Sequence, residues 1–344
     1  MQSKKFVVVG ATGRVGREML SILCEIGVNS KNVLAAASKR SAGSRVSYGN
    51  ACSLEVHDLA GVDFAGYDFA LFSAGSAVSE IYVPKAVESG CIAIDNTSFF
   101  RMFEQIPLIV PEINFADLGR YNSRIIANPN CSTIQMVMAL KPLHDEFDLR
   151  EVVVSTYQAT SGAGQKGVDE LLLQNSQLKG KNPVTPHCFK KQIAYNVIPQ
   201  IDEFTNSLYT KEELKMMNET KKILNLPNLH ITATCVRVPV IVGHAVSVYA
   251  KFANNVDLVQ ATEALRKFPG VTVVDNLRKY EYATPIDVAS KNDVYVSRIR
   301  QHPDIPNVLS FWVCADNVRK GAALNAVQIA QRLVHTSYCN NITG

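Results

Sequence analysis

Two textures of hydrophobic patterning divide the chain. Through the first 130 residues, short apolar runs alternate with stretches of helical periodicity. KFVVVG (5–10), NVLAAAS (32–38), DFALFSAG (68–75), CIAIDNTS (91–98) and SRIIANP (123–129) read as strands. VGREMLSILCEIG (15–27) and IYVPKAVESG (81–90) read as helices. Strands nearly continuous in apolar residues need cover on both faces, so this pattern predicts a parallel sheet between helices. Beyond residue 150 the pattern turns to alternation and β-branched enrichment, in 151–160, 229–242, 244–252 and 293–300. Fewer helices separate these runs, which predicts a more antiparallel sheet with helices on one side. KGAALNAVQIAQRLVH (320–335) is a strong amphipathic helix. The expected class is α/β, and 344 residues suggest about two domains.

Composition narrows the functions. The formal charge of +4 is spread along the chain without a basic tail, so neither nucleic acid nor a membrane is an expected partner. The N-terminal apolar run is short and breaks into glycines, unlike a signal peptide, and no stretch approaches 18 apolar residues. The eight cysteines (Cys24, Cys52, Cys91, Cys131, Cys188, Cys235, Cys314 and Cys339) form no C-x-x-C pair, so no metal site is expected. Free thiols without a secretion signal point to a reducing cytoplasm.

Gly10-Ala11-Thr12-Gly13-Arg14-Val15-Gly16 follows a strand and opens a helix. Glycine lets a backbone approach a pyrophosphate, and the helix N-terminus supplies N–H donors, so this turn predicts a dinucleotide site. The second strand ends in Ser38-Lys39-Arg40-Ser41, with no acid to take ribose hydroxyls. Cations and hydroxyls suit a 2′-phosphate instead, which favours NADP. Asn128-Pro129-Asn130-Cys131-Ser132-Thr133 places a thiol between a strand and a helix of roughly 132–147. There it meets the positive end of the helix dipole, as a nucleophile requires, whereas the other seven cysteines read as small buried hydrophobes.

Other residues leave alternatives open. His244 opens a strand seven residues after Arg237, which interrupts an apolar strand and needs an anion, structural or bound. His57, His144, His187, His230, His302 and His335 sit in polar or helical surroundings suited to surface or capping roles. Gln158 precedes the glycine-rich Ser161-Gly162-Ala163-Gly164, a cap or a site. Thr210-Lys211-Glu212-Glu213 has a capping-box pattern, and Glu212 with Lys215 reads locally as a solvated surface pair.

Together these segments resemble the aspartate-semialdehyde dehydrogenase family along nearly the whole chain. The shared motifs are G-A-T-G-x-V-G, S-x-R-S-A-G, F-S-A-G, D-N-T-S-x-x-R, N-P-N-C-S-T and D-N-x-R-K-G-A-A-L-N-A, in that order. The resemblance implies a Rossmann-type NADP domain of residues 1–129 plus 318–344. It pairs this with an α+β catalytic and dimerisation domain, 130–317, holding a mixed, largely antiparallel sheet. It also implies a cytoplasmic homodimer or tetramer. The implied reaction interconverts L-aspartate 4-semialdehyde, phosphate and NADP⁺ with L-4-aspartyl phosphate and NADPH, feeding lysine, methionine and threonine synthesis. By the resemblance Cys131 is the nucleophile, His244 the acid/base and Gln158 the group orienting substrate. Arg237 would grip the α-carboxylate, Glu212 the α-amino group, and Arg101 and Lys215 phosphate, with Asn130 lining the pocket. This implication displaces the surface-pair reading of Glu212 and Lys215. Gly10, Thr12, Gly13, Arg14, Val15, Ser38, Arg40, Ser41, Ser73, Ala74, Gly75, Ser161, Gly162 and Asn317 would hold NADP. N-acetyl-glutamyl-phosphate reductase shares the cofactor turn and thioester logic, but an acylated nitrogen would not favour Glu212 beside it. A non-catalytic NADP sensor would have no reason to keep Cys131, His244 and Arg237 together.

Overall fold

The computed structural model describes residues 1–50 and 52–336. The chain divides into two compact units, Met1–Asn130 with Ala322–Gly344, and Cys131–Gly321.

In the first unit, seven strands form one sheet: β1 (Phe6–Val9), β2 (Val33–Ala37), β3 (Arg45–Tyr48), β4 (Cys52–Asp58), β5 (Phe69–Phe72), β6 (Ile92–Asp95) and β7 (Ile125–Ala127). Their order is β3-β4-β2-β1-β5-β6-β7, and every neighbouring pair is parallel except β3 with β4. β1 is buried at all four positions, as its unbroken FVVV run requires. Helix α1 (Arg14–Glu25) buries Met19, Leu20, Ile22 and Leu23 in the same core that takes Leu324, Val327, Ile329, Ala330 and Leu333 from the helix Leu324–Val334. Strand order reverses between β1 and β5, the point at which such sheets open a crevice at their carboxyl ends. Helix α2 (Ser76–Glu88) starts five residues ahead of the predicted 81–90 segment. The β3–β4 hairpin has no counterpart in the expected strands, because on β3 exposed Arg45 and Ser47 alternate with buried Val46 and Tyr48. The short helix α3 (Pro111–Asn114) precedes β7.

The second unit begins with helix α4 (Cys131–Phe147), followed by β8 (Leu149–Gln158), α5 (Gln165–Lys179), α6 (Lys211–Leu224), β9 (His230–Arg237) and β10 (His244–Phe252). Helix α7 (Leu258–Lys267), β11 (Val271–Val273), the hairpin β12 (Asp275–Asn276) and β13 (Glu281–Tyr282), α8 (Pro285–Val288), β14 (Val294–Gln301) and β15 (Val308–Ala315) complete it. The main sheet runs β11-β14-β15-β10-β8-β9. It is mixed and largely antiparallel: β10 pairs antiparallel with β8 and β15, and β14 with β15, while β8–β9 and β11–β14 are parallel. β9 stops at Arg237 rather than continuing to 242, since Pro239 has no N–H for the ladder. The amphipathic segment predicted from 320 becomes regular helix only at Leu324; a π turn occupies Arg319–Ala323, closed by Gly321 N–H donating to Asp316 O.

Cys91, Cys235 and Cys314 are buried as expected. Cys52 and Cys188 are exposed, because one opens an edge hairpin and the other lies in an irregular segment with no apolar layer above it. Cys24 is half-buried, and Cys339 lies outside the described residues. No helix among the described residues is long and apolar enough to cross a membrane.

Candidate active site

In the first unit, Gly10, Thr12, Gly13, Ser38, Ser73 and Ala74 line one cavity of about 310 Å³ with Ala37, Leu59 and Val78. Gly10 has φ +86°, and a β-carbon there would stand 2.4 Å from the Ser73 carbonyl oxygen. A β-carbon on Gly16 would stand 2.1 Å from the Gly10 oxygen. The turn thus requires glycine twice over, for conformation and for close approach. Arg14 and Val15 form the first turn of α1, and Gly75 heads α2 with φ +93°. Arg40 and Ser41 lie in a single 3₁₀ turn after β2, with Ser38 at its N-terminal boundary. This cradle fits the pyrophosphate of a dinucleotide.

The segment leading to the thiol is held from the same unit. Asn128 donates through Nδ2 to Asn96 Oδ1 (2.7 Å) and to Ala322 O (3.2 Å), and its Oδ1 accepts from Asn325 Nδ2 at 2.7 Å. Asn130 is buried. Arg101 is buried too, and it donates to backbone carbonyls, Nε to Asn128 O at 2.9 Å and Nη2 to Asn96 O at 2.8 Å. Buried Asp95 braces this loop by accepting from Ser79 Oγ and from the Thr97 N–H and hydroxyl. Burial pushes the Asp95 carboxyl up from its ordinary range, while those hydrogen bonds and Arg101 oppose the shift.

Sheet register assembles the second unit's site. β8 and β9 run parallel, so Gln158 at the end of one lies opposite Arg237 at the end of the other. β10 runs the other way, so its first residue, His244, stands at that same end, opposite Ala315 at the end of β15. Asn317 follows two residues later. Its Oδ1 accepts from Ser161 Oγ (3.1 Å) and from Gly243 N (3.0 Å), tying the glycine-rich turn to the corner that presents His244. Gly162 is packed between functional groups: a β-carbon there would come within 2.7 Å of Arg237 Nη1 and 3.0 Å of His244 Nε2.

His244 is fully buried. The Ala159 N–H donates to its Nδ1 at 3.0 Å, and Nε2 has no hydrogen-bond partner. Burial, reinforced by Arg237, drives the ring well below its ordinary value of 6.5, so it is neutral with its proton on Nε2. Arg237 donates from Nη1 to Ala159 O at 2.7 Å and lies over the Phe189 ring. Burial lowers its pKa, while Glu212 and, when ionised, Cys131 oppose that, so the thiol at the head of α4 lies within electrostatic reach of the guanidinium. Gly321 faces the thiol residue as well: a β-carbon on it would stand 3.0 Å from Cys131 Cβ.

Glu212 is buried, despite its local resemblance to a surface residue. Its Oε1 accepts from Gln158 Nε2 at 3.1 Å, and its Oε2 accepts from Lys215 Nζ at 3.2 Å. Lys215 also donates to Asp202 Oδ2 at 2.8 Å. The capping box at the start of α6 is present, Thr210 with Glu213, and it fixes the turn that presents Glu212. Asp202, Phe189, Gly321 and Asn325 escaped sequence reasoning. Asp202 sits in the left-handed region (φ 68°) of a segment without periodicity, and no spacing connects it to Lys215. Gly321 did carry a signal, a lone glycine before a helical pattern.

Comparison with known proteins adds a family to this geometry. A model described as semialdehyde dehydrogenase, NAD binding domain, matches residues 5–121, and one described as semialdehyde dehydrogenase, dimerisation domain, matches residues 140–320. Aspartate-semialdehyde dehydrogenase of Bacillus subtilis (strain 168) is 48% identical over 334 residues, covering 95% of this chain and 96% of that protein. The Legionella pneumophila protein of that name is 47% identical over 328 residues, covering 95% and 94%. The crystal structure of aspartate semialdehyde dehydrogenase II complexed with ASA from Vibrio cholerae superposes with a TM-score of 0.93 at 42% identity, covering 97% of this chain and 99% of that one.

Proposed function

The chain belongs to the aspartate-semialdehyde dehydrogenase family, and on that premise we propose that it reduces L-4-aspartyl phosphate to L-aspartate 4-semialdehyde with NADPH, through a thioester on Cys131. The observation that carries this reading is the convergence of Gln158, Arg237 and His244 at one end of one sheet, with Cys131 in electrostatic reach of Arg237.

Cys131 Sγ attacks the acyl carbon, and the bond from that carbon to the phosphate oxygen breaks. Arg101 and Lys215 stabilise the departing phosphate. Arg237 grips the substrate α-carboxylate, Glu212 meets its α-ammonium group, Gln158 orients it, and Asn130 lines the pocket. NADPH, when bound, supplies the hydride that reduces the thioester carbonyl. With Nδ1 occupied by the Ala159 N–H, His244 donates a hydrogen bond from Nε2–H to the developing oxyanion. The oxyanion then re-forms the carbonyl, the C–S bond breaks with its electron pair leaving on Sγ, and the Cys131 thiolate is regenerated as aldehyde departs.

NADP is the dinucleotide this reading assigns to the 310 Å³ cleft, with Arg40 and Ser41 on the 2′-phosphate. Ser73, Ala74, Gly75, Ser161, Gly162 and Asn317 serve the nicotinamide half. Residues 1–129 with 318–344 then make the cofactor domain, and 130–317 the catalytic and dimerisation domain of a cytoplasmic homodimer or tetramer. Its product feeds lysine, methionine and threonine synthesis. The test is phosphate-dependent reduction of NADP⁺ by aspartate semialdehyde, run beside NAD⁺ and beside N-acetylglutamate semialdehyde. Turnover of the acylated aldehyde in preference to aspartate semialdehyde would overturn the substrate assignment, and a preference for NAD⁺ the cofactor assignment.

A further inference from the structure

We propose that Thr156 is a positioning residue for this reaction: its hydroxyl fixes which end of the Gln158 amide faces the substrate. The inference rests on Gln158 as the group that orients substrate.

Thr156 and Gln158 stand two residues apart on β8, so both side chains leave the same face of the strand. Both are buried. The Val236 N–H donates to Thr156 Oγ1 at 3.2 Å, and Thr156 Oγ1–H in turn donates to Gln158 Oε1 at 3.1 Å. At the other end of the amide, Gln158 Nε2 donates to Glu212 Oε1 at 3.1 Å. A carboxylate can only accept, and the threonine proton has Oε1 as its acceptor, so both neighbours select the same amide orientation. A flipped amide would set Oε1 against the Glu212 carboxylate and break the Thr156–Gln158 hydrogen bond in a buried site. The selected orientation reserves the second Nε2 proton for a substrate oxygen. Gln158 therefore acts as a hydrogen-bond donor, and Thr156, with Glu212, holds its carbonyl away from the substrate.

Valine matches threonine in shape and lacks the hydroxyl, so Thr156→Val removes the constraint with little change in volume. The expected result is a fall of about tenfold in kcat/KM for aspartate semialdehyde, largely restored in Thr156→Ser. Thermal unfolding is followed in parallel, and Thr156→Ala replaces the valine variant if that one does not fold. The deciding measurement is a double-mutant cycle with Gln158→Ala. If Thr156 acts through Gln158, Thr156→Val costs nothing further in the Gln158→Ala background. An equal loss in both backgrounds marks a general packing effect and overturns the proposal. Full activity of Thr156→Val beside an impaired Gln158→Ala also overturns it, while leaving the role of Gln158 intact. If Gln158→Ala itself turns over like the parent chain, the reading of Gln158 fails and the proposal fails with it.

Discussion

Gly10, Gly13 and Gly16 shape the cleft of the first unit by what they lack: a β-carbon on Gly10 or Gly16 would collide with backbone oxygen, 2.4 Å and 2.1 Å away. The second unit's site is built in the opposite way. Gln158, Glu212, Lys215 and Asp202 form a continuous run of side-chain hydrogen bonds, and Arg237 and His244 are both anchored on the backbone of Ala159. A cradle of backbone is specified by a few adjacent residues, because one turn contains all of it. A site of interlocked side chains draws on strands and loops up to 85 residues apart, the separation of Ala159 and His244. Each arrangement should therefore fail in its own manner, the first by distortion and the second by loss of a partner.

The largest effect expected is on Cys131. Cys131→Ala should lower kcat by at least about 10⁴-fold while the Kd for NADP⁺, measured by fluorescence titration, changes by no more than about twofold. A proportionate loss of cofactor affinity would erase the contrast between the two units. Gly10→Ala should do the reverse. Left-handed strain and the Ser73 clash together should destabilise the fold by about 2–4 kcal/mol in urea denaturation and remove NADP⁺ binding. Normal stability there would mean that the turn relaxes freely. Arg237→Leu should cost about 100-fold in kcat/KM, mostly through KM for aspartate semialdehyde, and unchanged kinetics would reject its grip on the carboxylate.

The smallest effect is a pH dependence. His244 is held neutral well below its ordinary value of 6.5, so below that pH the unfolded chain binds a proton that the folded chain does not. Stability from this group is full above about 6.5 and declines as pH falls toward the folded-state value. At pH 5.5 the deficit approaches about 1.4 kcal/mol, and His244→Asn should flatten that limb of a Tm-against-pH curve. An acid limb identical in the two proteins would show that His244 is not held neutral.

The same contrast explains what the sequence revealed. β1, α1 and the Gly10 turn were legible because strand, turn and helix each carry their cause within a few residues. Cys131 was legible for the same reason, being the first residue of α4. Glu212 and Lys215 were locally indistinguishable from a solvated i,i+3 pair; what buries Glu212 is a glutamine 54 residues earlier and a strand end that no local pattern records. The segment between α5 and α6 had no periodicity to read. Its shape comes from buried Glu170, which accepts from the N–H groups of His187 and Cys188, and from Gln174, which accepts from those of Ile193 and Ala194. Nothing in the residues of that segment announces acceptors placed on the preceding helix. Cys188 is exposed rather than buried accordingly, since typical thiol burial says little about a chain path set by hydrogen bonds.

The first unit's core is discontinuous in sequence, and this has a consequence for biosynthesis. Leu324, Val327, Ile329, Ala330 and Leu333 enter it only after the whole of Cys131–Gly321 has been made. During translation the first unit's sheet and α1 lack part of their cover until the last helix emerges. The inserted unit, contiguous from end to end, has no such delay. Premature termination anywhere in the second unit leaves the first without those five apolar side chains. Such fragments display exposed hydrophobic surface, the feature by which chaperones and proteases recognise unfinished chains. The order of the polypeptide thereby makes the first unit's core the last to be completed.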